Sequence, residues 1–403
     1  MYALALRNLF RHRTRSAVAL LAIAFSTIAL TLSGGFIEWI FWAMREAAIA
    51  SGTGHVQVMR PGYLENGISD PFSFVLPERS PELSALEGSV HVKAVAPRLN
   101  FGGLISFGDS TLAFVGTGVE ASKEEVVSSD LGFVDGRNLA AGDPDGIIVG
   151  QGLARQLGIN VGNKVVLLVN TRTGSVNAVE GKVRGIFTTQ IKSADDVVLR
   201  VPIAMARQLM RIPGAHVWVI LLDKTEQVDS SLQGFRSRFD GGKFDFVPWS
   251  DLADFYNKTV KLLTSQMEVT RWMIGSIIVL GISNMLIMNV LERTGEIGTL
   301  MALGARRKNI LALFISEGFF LGLLGGTMGL LVSFALAHLL SVVGIPMPPP
   351  PGRTIGYSAE ILLTWRLAVV AFAIALGTTL IASVYPAWKA SRLVIVDALR
   401  HNR

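Results

Sequence analysis

Four apolar runs in this chain are long enough to cross a bilayer: Ala17–Ile37, Met273–Leu291, Ile310–Leu340 and Leu367–Trp388. A hydrocarbon layer of ~30 Å takes about 20 helical residues, so each run predicts a spanning helix. No comparable run falls between residues 38 and 272, which leaves a long stretch of mixed polarity outside the lipid. Composition agrees, with 50% of residues apolar and 17% charged, where a soluble chain carries about a quarter charged. The expected fold class is an α-helical membrane protein: four transmembrane helices with a large extracytoplasmic α+β domain between the first and the second.

Short flanks set the orientation, because Lys and Arg stay on the cytoplasmic side. Arg7, Arg11, Arg13 and Arg15 precede the first run; Arg293, Arg306, Arg307 and Lys308 separate the second and third; Lys389, Arg392, Arg400 and Arg403 follow the fourth. Only Arg353 and Arg366 lie in the short loop opposite. Both termini are therefore expected in the cytoplasm, with the chain multi-pass and the long 38–272 segment outside. The net charge of +6 reads as topology and not as a nucleic-acid surface. Glu38, Arg45 and Glu46 separate Ala48-Ile49-Ala50 from the first run, so that run reads as an uncleaved anchor. Tyr2, Leu6, Leu9 and Phe10 share one helical face, which predicts a short helix lying on the inner surface. The chain has no cysteine, so disulfides, thiolate metal sites and a lipidated cysteine are excluded.

The organisation that follows is an interfacial helix, first span and stalk (1–50), an outer α+β domain (51–250), a stalk and second span (251–291), a cytoplasmic connector (292–309), a third span (310–341), an outer loop (342–366), and a fourth span with tail (367–403). In the outer domain, strand patterns fall at His55–Met59, Val90–Ala96, Leu112–Gly116, Gly146–Val149, Lys164–Asn170, Gly181–Ile186, Val197–Val201 and Val217–Leu222. Helical patterns fall at Gly152–Leu157, Ile203–Met210 and Val228–Phe239, and a β-rich insert is expected at about 115–205. The apolar periodicity of the first span continues to Ala50, and that of the second starts near a Ser250 or Asp251 cap, so both helices are expected to stand out of the lipid as unbroken rods.

Chemistry is sparse. The six histidines form no HExxH or similar ligand spacing, there is no GxSxG, and Asp143, Asp145, Asp195 and Asp196 read as loop charges. No catalytic residue and no metal site is expected. There is no GxxxxGK[ST], so ATP and Mg²⁺ are expected on a separate partner and no cofactor on this chain. The spans hold only Glu317 and His338 as ionisable groups, which argues against a proton relay or channel. Glu317 is expected to pair with Arg306 or Arg307. Gly318, Gly322, Gly325, Gly326 and Gly329 allow close helix packing, either within the subunit or across a dimer.

Between the second and third spans runs Glu292-Arg293-Thr294-Gly295-Glu296-Ile297-Gly298-Thr299-Leu300-Met301-Ala302-Leu303-Gly304-Ala305-Arg306. Ile297, Leu300 and Met301 share one face of a short amphipathic helix that Gly304 ends, a form suited to docking in a partner's groove. This run resembles the FtsX-like permease domain of the MacB/LolC/LolE/FtsX class of ABC transporters. So do Tyr385-Pro386-Ala387-Trp388-Lys389-Ala390-Ser391-Arg392, Asp397-Ala398-Leu399-Arg400 and the N-terminal LRNLFRHRTRS. GHVQVMRPG and IIVGQGLARQLGINVGNKVVLL look most like the LolC/LolE lipoprotein-release branch. In contrast to one subunit of that branch, Asn170–Val179 is short, and the proline run Met347–Pro351 is not a general family feature.

The resemblance implies a four-span subunit that pairs with a second copy or a paralogous permease, carries a porter-and-sabre periplasmic domain, and is driven by cytoplasmic ABC ATPase subunits. By position, Glu292, Arg293, Glu296, Ile297, Gly298, Leu300, Met301, Gly304, Ala305 and Arg306 would form the helix that meets the ATPase. Motion would pass up the stalks to a periplasmic client. The expected function is lipoprotein release with a lipoprotein carrier. FtsX-like regulation of cell-wall hydrolysis, or MacB-like efflux with a periplasmic adaptor, stand beside it.

Overall fold

The computed structural model describes residues 11, 13–129, 131–189, 192–347 and 356–394. The expected surface helix of residues 1–12 and the proline run 347–351 lie outside them except for Arg11 and Met347, as do Asp397–Arg400 and Arg403.

The chain runs α1 (Arg13–Ala48), β1 (Val56–Met59), α2 (Pro81–Glu87), β2 (Val92–Phe107), β3 (Ser110–Val119), α3 (Ala121–Val127), β4 (Gly132–Gly136) and β5 (Gly146–Gly150). Next come α4 (Gln151–Leu157), β6 (Lys164–Asn170), β7 (Val176–Thr188), β8 (Val198–Pro202), α5 (Ile203–Met210), β9 (Val217–Leu222), α6 (Val228–Arg238) and β10 (Asp245–Pro248). Then follow α7 (Asp254–Glu292), α8 (Thr294–Ala302), α9 (Arg307–Val343) and α10 (Trp365–Ser391). Two units result: Met1–Trp42, Lys258–Pro346 and Ser358–Arg403 make one, and Ala43–Asn257 with Met347–Tyr357 the other.

The first unit is helical. Its four long helices have the length and hydropathy of membrane spans. At 1.5 Å per residue, the 36 residues of α1 and 39 of α7 give rods of ~54 and ~58 Å, well beyond the ~30 Å lipid core. Hydroxyls in these helices donate to backbone carbonyls: Thr27 to Ile23 O at 2.8 Å and Ser333 to Gly329 O at 2.7 Å within their own helices, and Ser283 of α7 to Ala382 O of α10 at 2.8 Å. That arrangement lets polar side chains sit where water is absent. The α7 rod begins at Asp254 and not at 251. Trp249 packs edge-on against Tyr256 at 5.0 Å, and Ala253 leaves helical geometry (φ −94°, ψ 60°), so Trp249–Leu252 forms a separate turn.

The second unit has two parts. Strands β10-β1-β9-β2 form an antiparallel sheet in that order, with α2 connecting β1 to β2 and α6 connecting β9 to β10. This is the split βαβ topology, β-α-β twice over with strand order 4-1-3-2. Between its second and third strands lies a barrel. β2 pairs β3, β3 pairs β8, β8 pairs β5, β5 pairs β7, β7 pairs β6, and β6 returns to β2 at Leu104↔Leu168. Closure removes the free sheet edges that an open insert would expose. Alternation supplies its core: Val165, Leu167 and Val169 of β6 point inward, and Phe101 meets Phe114 edge-on at 5.5 Å.

The barrel starts earlier than the insert expected at 115–205. One 16-residue strand, β2, serves both parts, pairing β9 up to Arg98 and β3 from Arg98 onward. Gly102-Gly103 hides this continuity in the sequence by breaking the apolar alternation. A Cβ at Gly103 would lie 2.2 Å from Leu168 O, so glycine is required where β2 and β6 close.

Candidate functional site

The chain reverses between α7 and α9 through α8. Thr294 starts that helix and its hydroxyl donates to Leu291 O at 2.8 Å, binding the new helix to the old one. It ends in a Schellman motif: Gly304 N donates to Met301 O at 3.1 Å and Ala305 N to Leu300 O at 3.0 Å, with Gly304 at φ +94°. Arg306 is the extended residue before α9.

The two faces of α8 are occupied differently from the expectation. Ile297 is 2% exposed and packs with Val290, Ile310, Phe314, Ala387 and Ala390, and Met301 and Ala305 lie half-buried beside them. Gly298 is buried as well. The outward apolar residues are Leu300 and Leu303, 40% and 80% exposed, flanked by Thr299, Gly304, Arg306, Arg307 and Lys308. The predicted docking face of Ile297, Leu300 and Met301 is thus split. Phe314 and Ile310 of the same bundle take up Ile297, a partner that periodicity along one helix cannot reveal.

An ion network holds α8 at its start. Arg293, 9% exposed, lies 3.2 Å from Glu317 and 3.0 Å from Glu296. Arg11 reaches Glu296 at 3.0 Å, and Arg15 donates to Glu292. Glu317 therefore pairs with Arg293, not with Arg306 or Arg307. Arg307 precedes it by 10 residues on its own helix, an axial gap of ~15 Å that no side chain spans, and Arg306 lies before that helix starts. Arg11 and Arg15 were read only as topology signals. The signal that finds them is matched spacing: arginines four apart at 11 and 15 face glutamates four apart at 292 and 296.

Above the network, the α9 glycines divide between two neighbours of the same subunit. A Cβ at Gly318 would lie 2.6 Å from Ser383, at Gly322 2.1 Å from Thr379 and at Gly326 3.1 Å from Phe372, all on α10. A Cβ at Gly325 would lie 2.8 Å from Ile23 and at Gly329 2.7 Å from Thr27, both on α1. The small residues seat three helices at close range.

In the outer unit Asp143, Asp145 and Asp195, read from the sequence as loop charges, are engaged structurally. Asp143 is bound by Arg137 at 2.9 Å and approached by Arg184 at 3.4 Å, Asp145 lies 2.9 Å from Arg184, and buried Asp195 accepts from Thr189 N at 2.7 Å. Among the described residues no group of three or more His, Asp or Glu side chains could hold a metal ion.

The MacB-like periplasmic core domain profile matches residues 16–236, more than half of the chain, and the FtsX-like permease C-terminal profile matches 272–395. The macrolide export ATP-binding/permease protein MacB of Syntrophobacter fumaroxidans is 40% identical over 122 residues, 30% of this chain and 15% of that protein. MacB of Brucella abortus is 33% identical over 180 residues, 44% of this chain and 25% of that protein. The chain thus spans a quarter or less of these relatives. The lipoprotein-releasing system transmembrane protein LolE of Haemophilus influenzae is 23% identical over 321 residues, 76% of this chain and 77% of that protein. Among solved structures, the extracellular domain of the transporter YknZ covers 48% of this chain at 14% identity with a TM-score of 0.35. The periplasmic region of MacB from Actinobacillus actinomycetemcomitans covers 53% at 12% identity with a TM-score of 0.36. With its extracytoplasmic domain set between the first two of four spanning helices and its permease motif between the second and third, the chain belongs to the MacB/FtsX/LolE class of ABC transporter permeases.

Proposed function

We propose that this chain is the transmembrane subunit of an ATP-driven machine that works by transmitting motion to an extracytoplasmic client, with ATP and Mg²⁺ bound by an ABC ATPase partner. The observation that carries the reading is the two-faced α8. Its inner face is fixed to the bundle through Ile297 and Arg293, and its outer face offers Leu300 and Leu303 beside Arg306–Lys308. An apolar pair rimmed by cations suits an apolar cleft with acidic edges on the ATPase. The continuous α1 and α7 rods then supply the path for motion.

Lipoprotein release is the preferred activity. It is supported by the alignment with LolE, which runs over three quarters of both chains and over both family regions. Efflux with a periplasmic adaptor is the second reading, favoured by the higher identity of the shorter MacB alignment. The Lys and Arg pattern supports cytoplasmic termini in an inner membrane. A second copy or sister permease is supported by Leu262, Val269 and Trp272, large apolar residues exposed along α7. Leu303→Asp tests the coupling surface: the full chain should fold and insert but lose co-purification with its ATPase. Retained binding at wild-type strength would refute the assignment. Because the chain is free of cysteine, single cysteines at 303 and 90 also test topology by labelling from each side of the membrane.

A further inference from the structure

The end of α1 is attached to the outer domain at two points. The first leads to the split βαβ sheet. His55 Nδ1 accepts from Leu222 N at 3.0 Å, so its Nε2 carries the proton and donates to Thr225 Oγ1 at 3.1 Å, and Thr225 donates to Glu46 on the last turns of α1 at 3.3 Å.

The second leads to the barrel and rests on three charges, the buried Glu124 and the half-buried Arg98 and Arg200. α1 runs into a wide turn, Ile49–Thr53, whose Gly52 stands at φ +119°. Arg98 Nη1 donates to the Gly52 carbonyl. The same guanidinium forks onto Glu124, Nε to Oε2 at 3.0 Å and Nη2 to Oε1 at 2.6 Å, and reaches Ser128 Oγ at 3.1 Å. Glu124, on α3 with its side chain 4% exposed, also accepts from Arg200 Nη1 at 2.8 Å. Burial pushes the Glu124 carboxyl up, but the two guanidiniums outweigh it and hold the group below its ordinary range. Burial lowers Arg200 to about 10, still charged at neutral pH.

The positions of these residues in the sheet give the cluster its reach. Arg98 is the β2 residue at which the ladders meet, paired with Val217 of β9 and with Val119 of β3. Arg200 of β8 pairs with Thr117 of β3 and Ile148 of β5, and its guanidinium lies 5.8 Å from the Phe187 ring of β7. A planar guanidinium with fixed donor directions can hold a carbonyl, a hydroxyl and a carboxylate together, which an ammonium on a flexible stem cannot. Packing leaves no slack at the helix end, since a Cβ on Gly52 would lie 2.9 Å from both Arg98 Nη2 and Ser128 Oγ.

We infer that Arg98 is a positioning residue that fastens the end of α1 to the barrel through Glu124 and Arg200, so that displacement of the helix end is delivered to the barrel as well as to the split βαβ sheet. The inference rests on the reading that this chain transmits motion. The two attachments form separate limbs, and Arg98 governs one of them.

The test uses the full chain with its ATPase in lipid nanodiscs, with hydrogen exchange compared between nucleotide-free and vanadate-trapped states. In wild type, trapping should change exchange at 49–53, in β9 and in β8. In Arg98→Lys the changes at 49–53 and β9 should persist, and the change in β8 should fall at least five-fold. Gly52→Ala, whose Cβ would press on Arg98 Nη2 and Ser128 Oγ at 2.9 Å but stays clear of the Arg200–Glu124 pair, should act in the same direction and serves if Arg98→Lys fails to fold. An Arg98 with a purely structural role would lower the thermal midpoint and leave the β8 response intact, and that result overturns the inference alone. No nucleotide-dependent change anywhere in 43–257 of wild type would overturn both the inference and the motion-transmitting reading beneath it.

Discussion

Removing Arg293 should release α8 from the bundle, and the size of the effect follows from where the charge sits. The Arg293 side chain is 9% exposed and that of Glu317 is 1% exposed. Arg293→Ala takes one partner away from an almost fully buried carboxylate. Deleting one member of a buried ion pair costs about 3–5 kcal/mol. If α8 docking bears that cost, the undocked population rises roughly 100-fold to several thousand-fold, at 1.36 kcal/mol per decade. Exchange of the amides of 294–302 reads this directly, because local opening sets their rate. The expected result in nanodiscs is acceleration of about 100-fold or more. Arg293→Ala with Glu317→Ala removes both charges and should recover most of the loss, since replacing a whole buried pair is far less costly than halving it. Exchange within two-fold of wild type in the single variant, or a double variant no better than the single, would refute the reasoning.

Further outcomes follow from other sites. Gly322→Leu must displace Thr379, which a Cβ alone would approach at 2.1 Å; overpacking of this kind costs about 1–3 kcal/mol or more, and the detergent-solubilised chain should melt several degrees lower, an unchanged midpoint counting against the α9–α10 seat. Gly304→Ala forces an L side chain to φ +94°; a penalty of about 1–2 kcal/mol should raise exchange at 300–305, and no change would contradict the Schellman geometry. Burial holds His55 and His216 below their ordinary value of 6.5, so the native domain keeps them neutral while the unfolded chain takes up protons. Their effect is nil well above pH 6.5, and stability falls as pH drops from there through the folded values. The outer-domain melting temperature, followed by tryptophan fluorescence, should decline from pH 7 to 5 and less steeply in His216→Gln; a flat profile would contradict the buried neutral state.

Spans, strands and the permease motif were legible because each depends on local periodicity. The run Val217–Leu222 is an unbroken apolar series and forms β9 as read. What stayed hidden required knowledge of partners distant in sequence. Val90–Ala96 and Leu112–Gly116 read as separate short strands, yet β2 extends from Val92 to Phe107 and closes a barrel with β6, 60 residues further on. Ile297 was legible as apolar but not as the residue Phe314 covers. Glu317 was legible as the buried charge of the third span, but its counter-ion lies across a turn and not along its own helix. The glycines of α9 announced close packing, and only the positions of Thr379 and Ile23 decide that it occurs within one subunit.

Force conveyed from the nucleotide-binding partner through α8 to the outer end of α7 is tested most directly by a spin label on a single cysteine replacing Lys261, with the label distance between the two copies of an assembled complex read before and after vanadate trapping. A distance that shifts with trapping, and a shift abolished by Leu303→Asp, is the result expected of mechanical coupling. A distance unmoved by nucleotide in the wild-type complex, or a shift undiminished when Leu303 is replaced, would contradict it.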